Sequence, residues 1–252
     1  MKVIAVANQK GGVGKTAIAL HIAWFGVLQK KRALIIDLDA QQNTTESLID
    51  RHNLPDSLKA FELFQDNIDG KEPIKIEEYL SLIPADSSLT SVEALPMDKV
   101  ITLKNHIKRF DPSYDLVIFD TPPNLGRRLI AALGASDYVV TPVTMDKFAI
   151  SAAVDLQKTI GQVKKNINPN LTNIGIIPNR INQSVRAHKH YLHKLRQSLG
   201  DLVSPYQLVQ RAHIEQAVNS RHPVWIKMNG QSARMAATEM KHTMEYIFGK
   251  VF

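Results

Sequence analysis

A glycine loop set between an apolar run and a helical one constrains this chain most. Val3-Ile4-Ala5-Val6-Ala7 leads to Gln9-Lys10-Gly11-Gly12-Val13-Gly14-Lys15-Thr16-Ala17, and then to Ile18-Ala19-Leu20-His21-Ile22-Ala23. Strand, glycine turn and helix in that order form the context in which a backbone wraps an anion. Glycines let the N–H groups turn inward. The helix that follows contributes its positive end. Lys15 supplies a mobile charge for outer phosphates, and Thr16 a hydroxyl for Mg²⁺. The general pattern G-x-x-x-x-G-K-[ST] needs glycine where Gln9 stands, and a second lysine, Lys10, precedes Lys15 in the same loop.

The 252 residues suffice for one large α/β domain with a full core, so residues 1–252 read as a single domain. There is no cysteine. That excludes disulfides, thiolate zinc sites and cysteine-ligated iron–sulfur clusters, and it fits a cytoplasmic setting. No apolar run approaches the length of a membrane span, and the first strand leaves no room for a signal peptide. The formal net charge of +7 is uneven. Residues 1–126 carry 14 Lys and Arg against 17 Asp and Glu, whereas residues 127–252 carry 17 against 7. A half-chain this basic suits a polyanion partner or simply a solvated basic surface.

Short β-rich runs at 3–7, 33–37, 80–84, 116–120, 138–142 and 173–178 alternate with helical stretches at 15–30, 58–64, 103–109, 150–163 and 186–199. This alternation predicts an α/β fold, a single doubly wound and mostly parallel sheet with helices on both faces. Continuous apolar runs such as Leu34-Ile35-Ile36 suit strands buried on both sides. Residues 43–79 are polar and acidic and read as an insertion or mobile region. A last helix at about 234–248 places Ala236, Met240, Met244, Ile247 and Phe248 on one face, which is core spacing. No basic amphipathic segment follows it, so anchoring to a membrane is not expected.

Phosphoryl transfer needs charge neutralisation, a metal ion and an oriented water. The second strand ends in Asp37-Leu38-Asp39-Ala40-Gln41, and the fourth in Asp120-Thr121-Pro122-Pro123. In a parallel sheet the C-terminal strand ends converge on one crevice. Asp37, Asp39 and Asp120 could therefore share it with the glycine loop, although a lone strand-end aspartate more often caps a helix or forms a turn.

Lys10-Gly11-Gly12-Val13-Gly14-Lys15-Thr16, Asp37-Leu38-Asp39-Ala40-Gln41 and Asp120-Thr121-Pro122-Pro123 together resemble the ParA family of DNA-partition ATPases, within the wider class of deviant Walker A, MinD-like P-loop ATPases. The resemblance implies ATP and Mg²⁺ as cofactors and an ATP-sandwich homodimer in which Lys10 reaches the partner's nucleotide. It implies nucleotide contacts along Lys10 to Ala17, with Lys15 on the β- and γ-phosphates. By the same resemblance Thr16, Asp37 and Asp120 surround the metal, Asp39 positions the attacking water, and Asn179 recognises adenine. Lys10, Lys15 and Asp39 are then the catalytic set. The chain departs from the family pattern at Ala17, where a second threonine is usual. It departs again at Ala40-Gln41-Gln42, where Pro-Gln-Gly is common, and at Leu208-Val209-Gln210-Arg211, where Ile-Pro-Arg-Asn is familiar. It resembles the short type, without an N-terminal helix-turn-helix.

Residues 185–199 make the physical case for DNA. At 100° per residue, Val185, Tyr191, Leu192, Leu195 and Leu199 fall within about 120° of one another. Arg186, Lys189, Lys194 and Arg196 spread over the remaining face, and no acidic residue occurs from Asn182 to Gly200. An ordinary surface helix mixes signs to gain i,i+4 pairs. A row of cations on a rigid element suits phosphate contact without base reading. The expectation is a slow ATPase that partitions a plasmid or chromosome. Its ATP-bound dimer would bind non-specific DNA and release it on hydrolysis stimulated by a ParB-like partner, in the cytoplasm on the nucleoid. A positioning ATPase for a protein cargo, or a MinD-like membrane-cycling ATPase, would carry the same nucleotide chemistry.

Overall fold

The computed structural model describes residues 1–68 and 70–252. Seven strands form one sheet in the order β3-β4-β2-β5-β1-β6-β7. They are β1 (Lys2–Val6), β2 (Ala33–Asp37), β3 (Ile74–Glu77), β4 (Leu80–Ile83), β5 (Leu116–Asp120), β6 (Tyr138–Thr144) and β7 (Thr172–Asn179). All neighbours run parallel except β3, which pairs antiparallel with β4 at the edge. The helices are α1 (Lys15–Leu28), α2 (Asn43–Glu46), α3 (Met97–Lys108), α4 (Arg127–Ala135), α5 (Ala149–Asn166), α6 (Arg186–Leu199), α7 (Ala212–Asn219) and α8 (Gln231–Val251).

The expected doubly wound α/β sheet is present, and the strand sequences explain why. Alternate residues of each central strand serve opposite cores. Val3 and Ala5 of β1, Leu34 and Ile36 of β2, and Val117 and Phe119 of β5 join α3, α4 and α5 on one face. Ile4 and Val6, Ala33 and Ile35, and Leu116 and Ile118 join α1, α7 and α8 on the other. Both faces are therefore covered, as an all-apolar parallel strand requires. In α8 the anticipated face is in the core: Ala236, Met240, Met244, Ile247 and Phe248 are all buried. Among the described residues no helix is long and apolar enough to cross a membrane.

Three expectations need correction. The stretch 43–79, read as an insertion, contributes Thr44, Thr45, Leu48, Leu58, Ala60, Leu63 and Phe64 to the interior; it also supplies β3. (Asp69, inside that stretch, lies outside the described residues.) Its 58–64 run is a 3-10 turn at Ala60–Phe64 rather than an α-helix. Helices α2, α4 and α7 are additional to those expected. Finally, Val185 precedes α6 as its cap and is exposed, so the buried stripe of that helix is Leu192 and Leu195, flanked by Tyr191 and Leu199.

Candidate active site

The glycine loop closes over the N-terminus of α1 because two of its residues take left-handed backbone. Gly12 has φ 72° and Gly14 has φ 88°, and Gly14 caps the helix. Such angles favour glycine strongly. Gly14 also has no space for a side chain: a Cβ there would lie 2.3 Å from Asn179 Nδ2. That amide, at the end of β7, donates to the Val13 carbonyl at 2.8 Å. Asn179 thus sits beneath the loop, and with Leu208, Ile214 and Met240 it lines a narrow apolar cleft beside Gly14 and Ala17.

In front of the loop lies a cavity of about 590 Å³ lined by Gly11, Gly12, Gly14, Lys15, Thr16, Asp39 and Arg180. Lys15 is buried, and its ammonium donates to the Lys10 carbonyl across the loop at 3.1 Å. Burial draws its pKa below that of a free lysine, while the Asp120 and Asp39 charges oppose the shift. No acidic side chain occupies the first turn of α1, which leaves the positive helix end to an anion.

The sheet register brings the carboxylates together. Asp37 and Asp120 are paired positions at the ends of neighbouring β2 and β5. Thr16 Oγ1 donates to Asp120 Oδ2 at 2.6 Å, and Thr44 Oγ1 donates to the same oxygen at 2.7 Å. Asp120 Oδ1 is buried without a hydrogen-bond partner. Asp37 accepts the backbone N–H and the hydroxyl of Thr45 at 2.9 and 2.8 Å, and the Asp39 N–H at 3.1 Å. Burial pushes both Asp37 and Asp120 above the usual carboxylate range; the charge of Asp120 adds to the shift at Asp37, and the Thr16 and Thr44 hydroxyls moderate it at Asp120.

An orphan carboxylate oxygen beside a threonine hydroxyl and a second carboxylate is a hard-oxygen donor set, which fits Mg²⁺. Mg²⁺ keeps several waters and relies on phosphate oxygens. It needs no protein cage, and the described residues contain no cluster of three or more His, Cys, Asp or Glu able to hold a metal alone.

Lys10 does not line its own cavity. Its ammonium pairs with Asp146 Oδ2 at 2.5 Å, beyond the end of β6. Against the upward pull of partial burial, hydrogen bonds from Lys10, the Phe148 N–H and Thr144 hold Asp146 below the usual carboxylate range.

Residues 1–173 match the AAA domain family. Protein IncC of Escherichia coli is 31% identical over 260 residues, covering 100% of this chain and 70% of that protein. The chromosome-partitioning ATPase Soj of Thermus thermophilus is 33% identical over 176 residues, covering 69% and 67%. The chain belongs to the ParA family. Among solved structures, cobyrinic acid a,c-diamide synthase from Mycobacterium smegmatis with bound ATP analog and magnesium matches at a TM-score of 0.75 and 28% identity, over 88% of this chain and 91% of that one. That solved structure holds an ATP analog and magnesium, the cofactors expected of a ParA-like P-loop ATPase.

The second feature of this ParA-family chain lies apart from the cavity. Helix α6 packs Leu192 and Leu195 against Ala149 and Ala153 of α5. Arg186, Lys189, Lys194 and Arg196 are all exposed on it. None of the four forms an ion pair among the described residues. The sequence reading missed Thr44, Thr45, Asp146 and Arg180. Only the Thr44-Thr45 pair, close behind the Asp-Leu-Asp run, carried a local signal. Arg180 donates to the Gly12 carbonyl at 3.0 Å and also pairs with Glu215.

Proposed function

We propose that this chain is an ATP-dependent partition protein for a plasmid or chromosome, working as an ATP-sandwich homodimer. Lys10 to Ala17 cradle the phosphates, with Lys15 on the β/γ oxygens and Asn179 toward the base. Thr16, Asp37 and Asp120 hold Mg²⁺, which supplies charge neutralisation at the transferring phosphoryl group. Asp39 orients the attacking water. Lys10 leaves Asp146 for the partner's nucleotide, so the catalytic set Lys10, Lys15 and Asp39 is complete only in the dimer. The closed dimer holds non-specific DNA, and hydrolysis, slow until a ParB-like adaptor stimulates it, releases the DNA. The protein then resides in the cytoplasm on the nucleoid.

The observation that carries this reading is the unpaired cation row on α6. Four exposed charges on one helix, with no acidic neighbour on that helix, suit a phosphate backbone. Phosphate contacts of this kind carry affinity without sequence preference. The test is retention on random-sequence DNA with ATP, with ADP and without nucleotide. Retention should require ATP and fall steeply with salt. Equal retention in all three conditions refutes the switch.

A further inference from the structure

Outside the nucleotide cavity the molecule buries one arginine in a position that packing alone does not explain. Arg128, in the first turn of α4, is 6% exposed. Its Nε donates to Glu93 Oε1 at 2.9 Å, and its Nη1 donates to the Leu38 carbonyl at 3.2 Å. The other Glu93 oxygen, Oε2, accepts the Arg127 N–H at 2.6 Å, at the positive end of α4. The contact is tight, because a Cβ on Gly126 would lie 2.3 Å from Glu93 Oε2.

Leu38 stands between Asp37 and Asp39. Its N–H donates to the Asp120 carbonyl at 2.9 Å. The peptide that follows it is fixed on both edges: Arg128 holds the Leu38 oxygen, and Asp37 Oδ1 accepts the Asp39 N–H at 3.1 Å. The plane of that peptide sets the direction in which Asp39 leaves the backbone. A buried ion pair is a weak source of stability compared with apolar packing. A planar guanidinium is, however, well suited to fixing two acceptors at once. Glu93 therefore ties together the two loops that follow the strands ending in Asp37 and Asp120, the one after β2, which bears Asp39, through Arg128, and the one after β5 through the start of α4.

From this geometry we infer that Glu93 and Arg128 are positioning residues for hydrolysis: they hold the 38–39 peptide so that Asp39 meets the attacking water. The inference rests on the proposed ATPase reading and on the role given there to Asp39. Nucleotide affinity depends on the glycine loop and Lys15, which the pair does not touch, so the effect belongs to turnover.

The experiment compares Arg128→Met, Arg128→Lys, Glu93→Gln and the Glu93→Gln/Arg128→Met double variant with wild type and Asp39→Ala. It measures turnover at saturating Mg-ATP, KM, ADP affinity and melting temperature for each full-length chain. Arg128→Met and Glu93→Gln should each lower kcat by about tenfold or more, as small misplacements of a catalytic group do. KM and ADP affinity should stay within about twofold. The double variant should lose no more than the larger single loss, because both changes break one device. Arg128→Lys keeps the charge and the fold but cannot span both acceptors; it should lose kcat as well, and it carries the test if Arg128→Met melts too low to assay. Wild-type kcat in folded Arg128→Lys, or equal losses of kcat and nucleotide affinity, overturns the inference. A wild-type chain that binds ATP without any Asp39-dependent turnover overturns the ATPase reading instead.

Discussion

His21, buried in α1, makes the stability of the nucleotide-binding helix depend on pH. Its Nδ1 lies 2.6 Å from the Ala17 carbonyl, and its Nε2 accepts the Val224 N–H at 3.2 Å. The ring meets Trp24 and Trp225 edge-on at 5.1 and 5.5 Å. This arrangement admits one species, the neutral Nδ1–H tautomer. Protonating Nε2 would set two N–H groups against each other inside an apolar shell. Burial lowers the pKa from 6.5 to about 4, opposed by the Ala17 carbonyl and reinforced by nearby His222. A histidine with a depressed folded pKa binds its proton more readily when unfolded. Its contribution to stability is therefore complete above about pH 6.5 and is lost as pH falls toward about 4. Integrating the linkage between pH 7.5 and pH 4.5 gives a loss of about 2–3 kcal/mol. For a chain of this size that corresponds to roughly 5–10 °C in melting temperature. Other groups titrate over the same range, so the measurement is a difference between wild type and His21→Asn in urea denaturation at both pH values. The variant should be the less stable at pH 7.5, and the gap should narrow by about 2–3 kcal/mol at pH 4.5. A gap independent of pH, or an imidazole that titrates near 6.5 by NMR in the folded protein, refutes the reasoning.

Gly14→Ala should cost about 1–3 kcal/mol of stability, because it combines strained backbone with a contact on Asn179. Nucleotide affinity should fall with it, as urea denaturation and a fluorescent-nucleotide titration will report. Lys10→Ala should leave ATP binding intact and abolish the ATP-dependent dimer in light scattering; a dimer like that of wild type would return Lys10 to a purely local role. Arg186→Ala combined with Lys189→Ala should weaken DNA retention at every sequence and reduce the slope of log affinity against log salt by about 2 per protomer that contacts DNA. Asp120→Asn removes a buried charge whose Oδ1 has no partner, so the nucleotide-free protein should gain roughly 1–3 kcal/mol at pH 7.5. The pKa of Asp120 is raised in the folded state, so the wild-type penalty fades as pH falls and the gain should vanish with it; the Mg²⁺-dependent turnover should be lost at all pH values.

How much of this was legible in advance depends on whether a feature is local. Gly12 and Gly14 announce their backbone angles by being glycine, and the five-residue runs of β1, β2 and β5 announce burial on both faces by being apolar throughout. Asp37 and Asp120 were brought together correctly because parallel register carries one strand end to the next. The stretch 43–79 failed for a physical reason. Most of its polar residues face water although Thr44 and Thr45 are buried, and Leu63 and Phe64 lie in a 3-10 turn whose period matches neither a strand nor an α-helix. Ile74-Lys75-Ile76-Glu77 does alternate as an edge strand should, but its acidic surroundings masked the pattern. What no periodicity could reveal is which distant group neutralises or orients another. Asp146 waits 136 residues from Lys10, and Glu93 lies 35 residues before the arginine it holds. Those partners meet only through the register of the whole sheet. The groups that set the direction of Asp39 are of this kind, which is why the identity of the carboxylates could be read from the chain while the device that aims them had to be found in the fold.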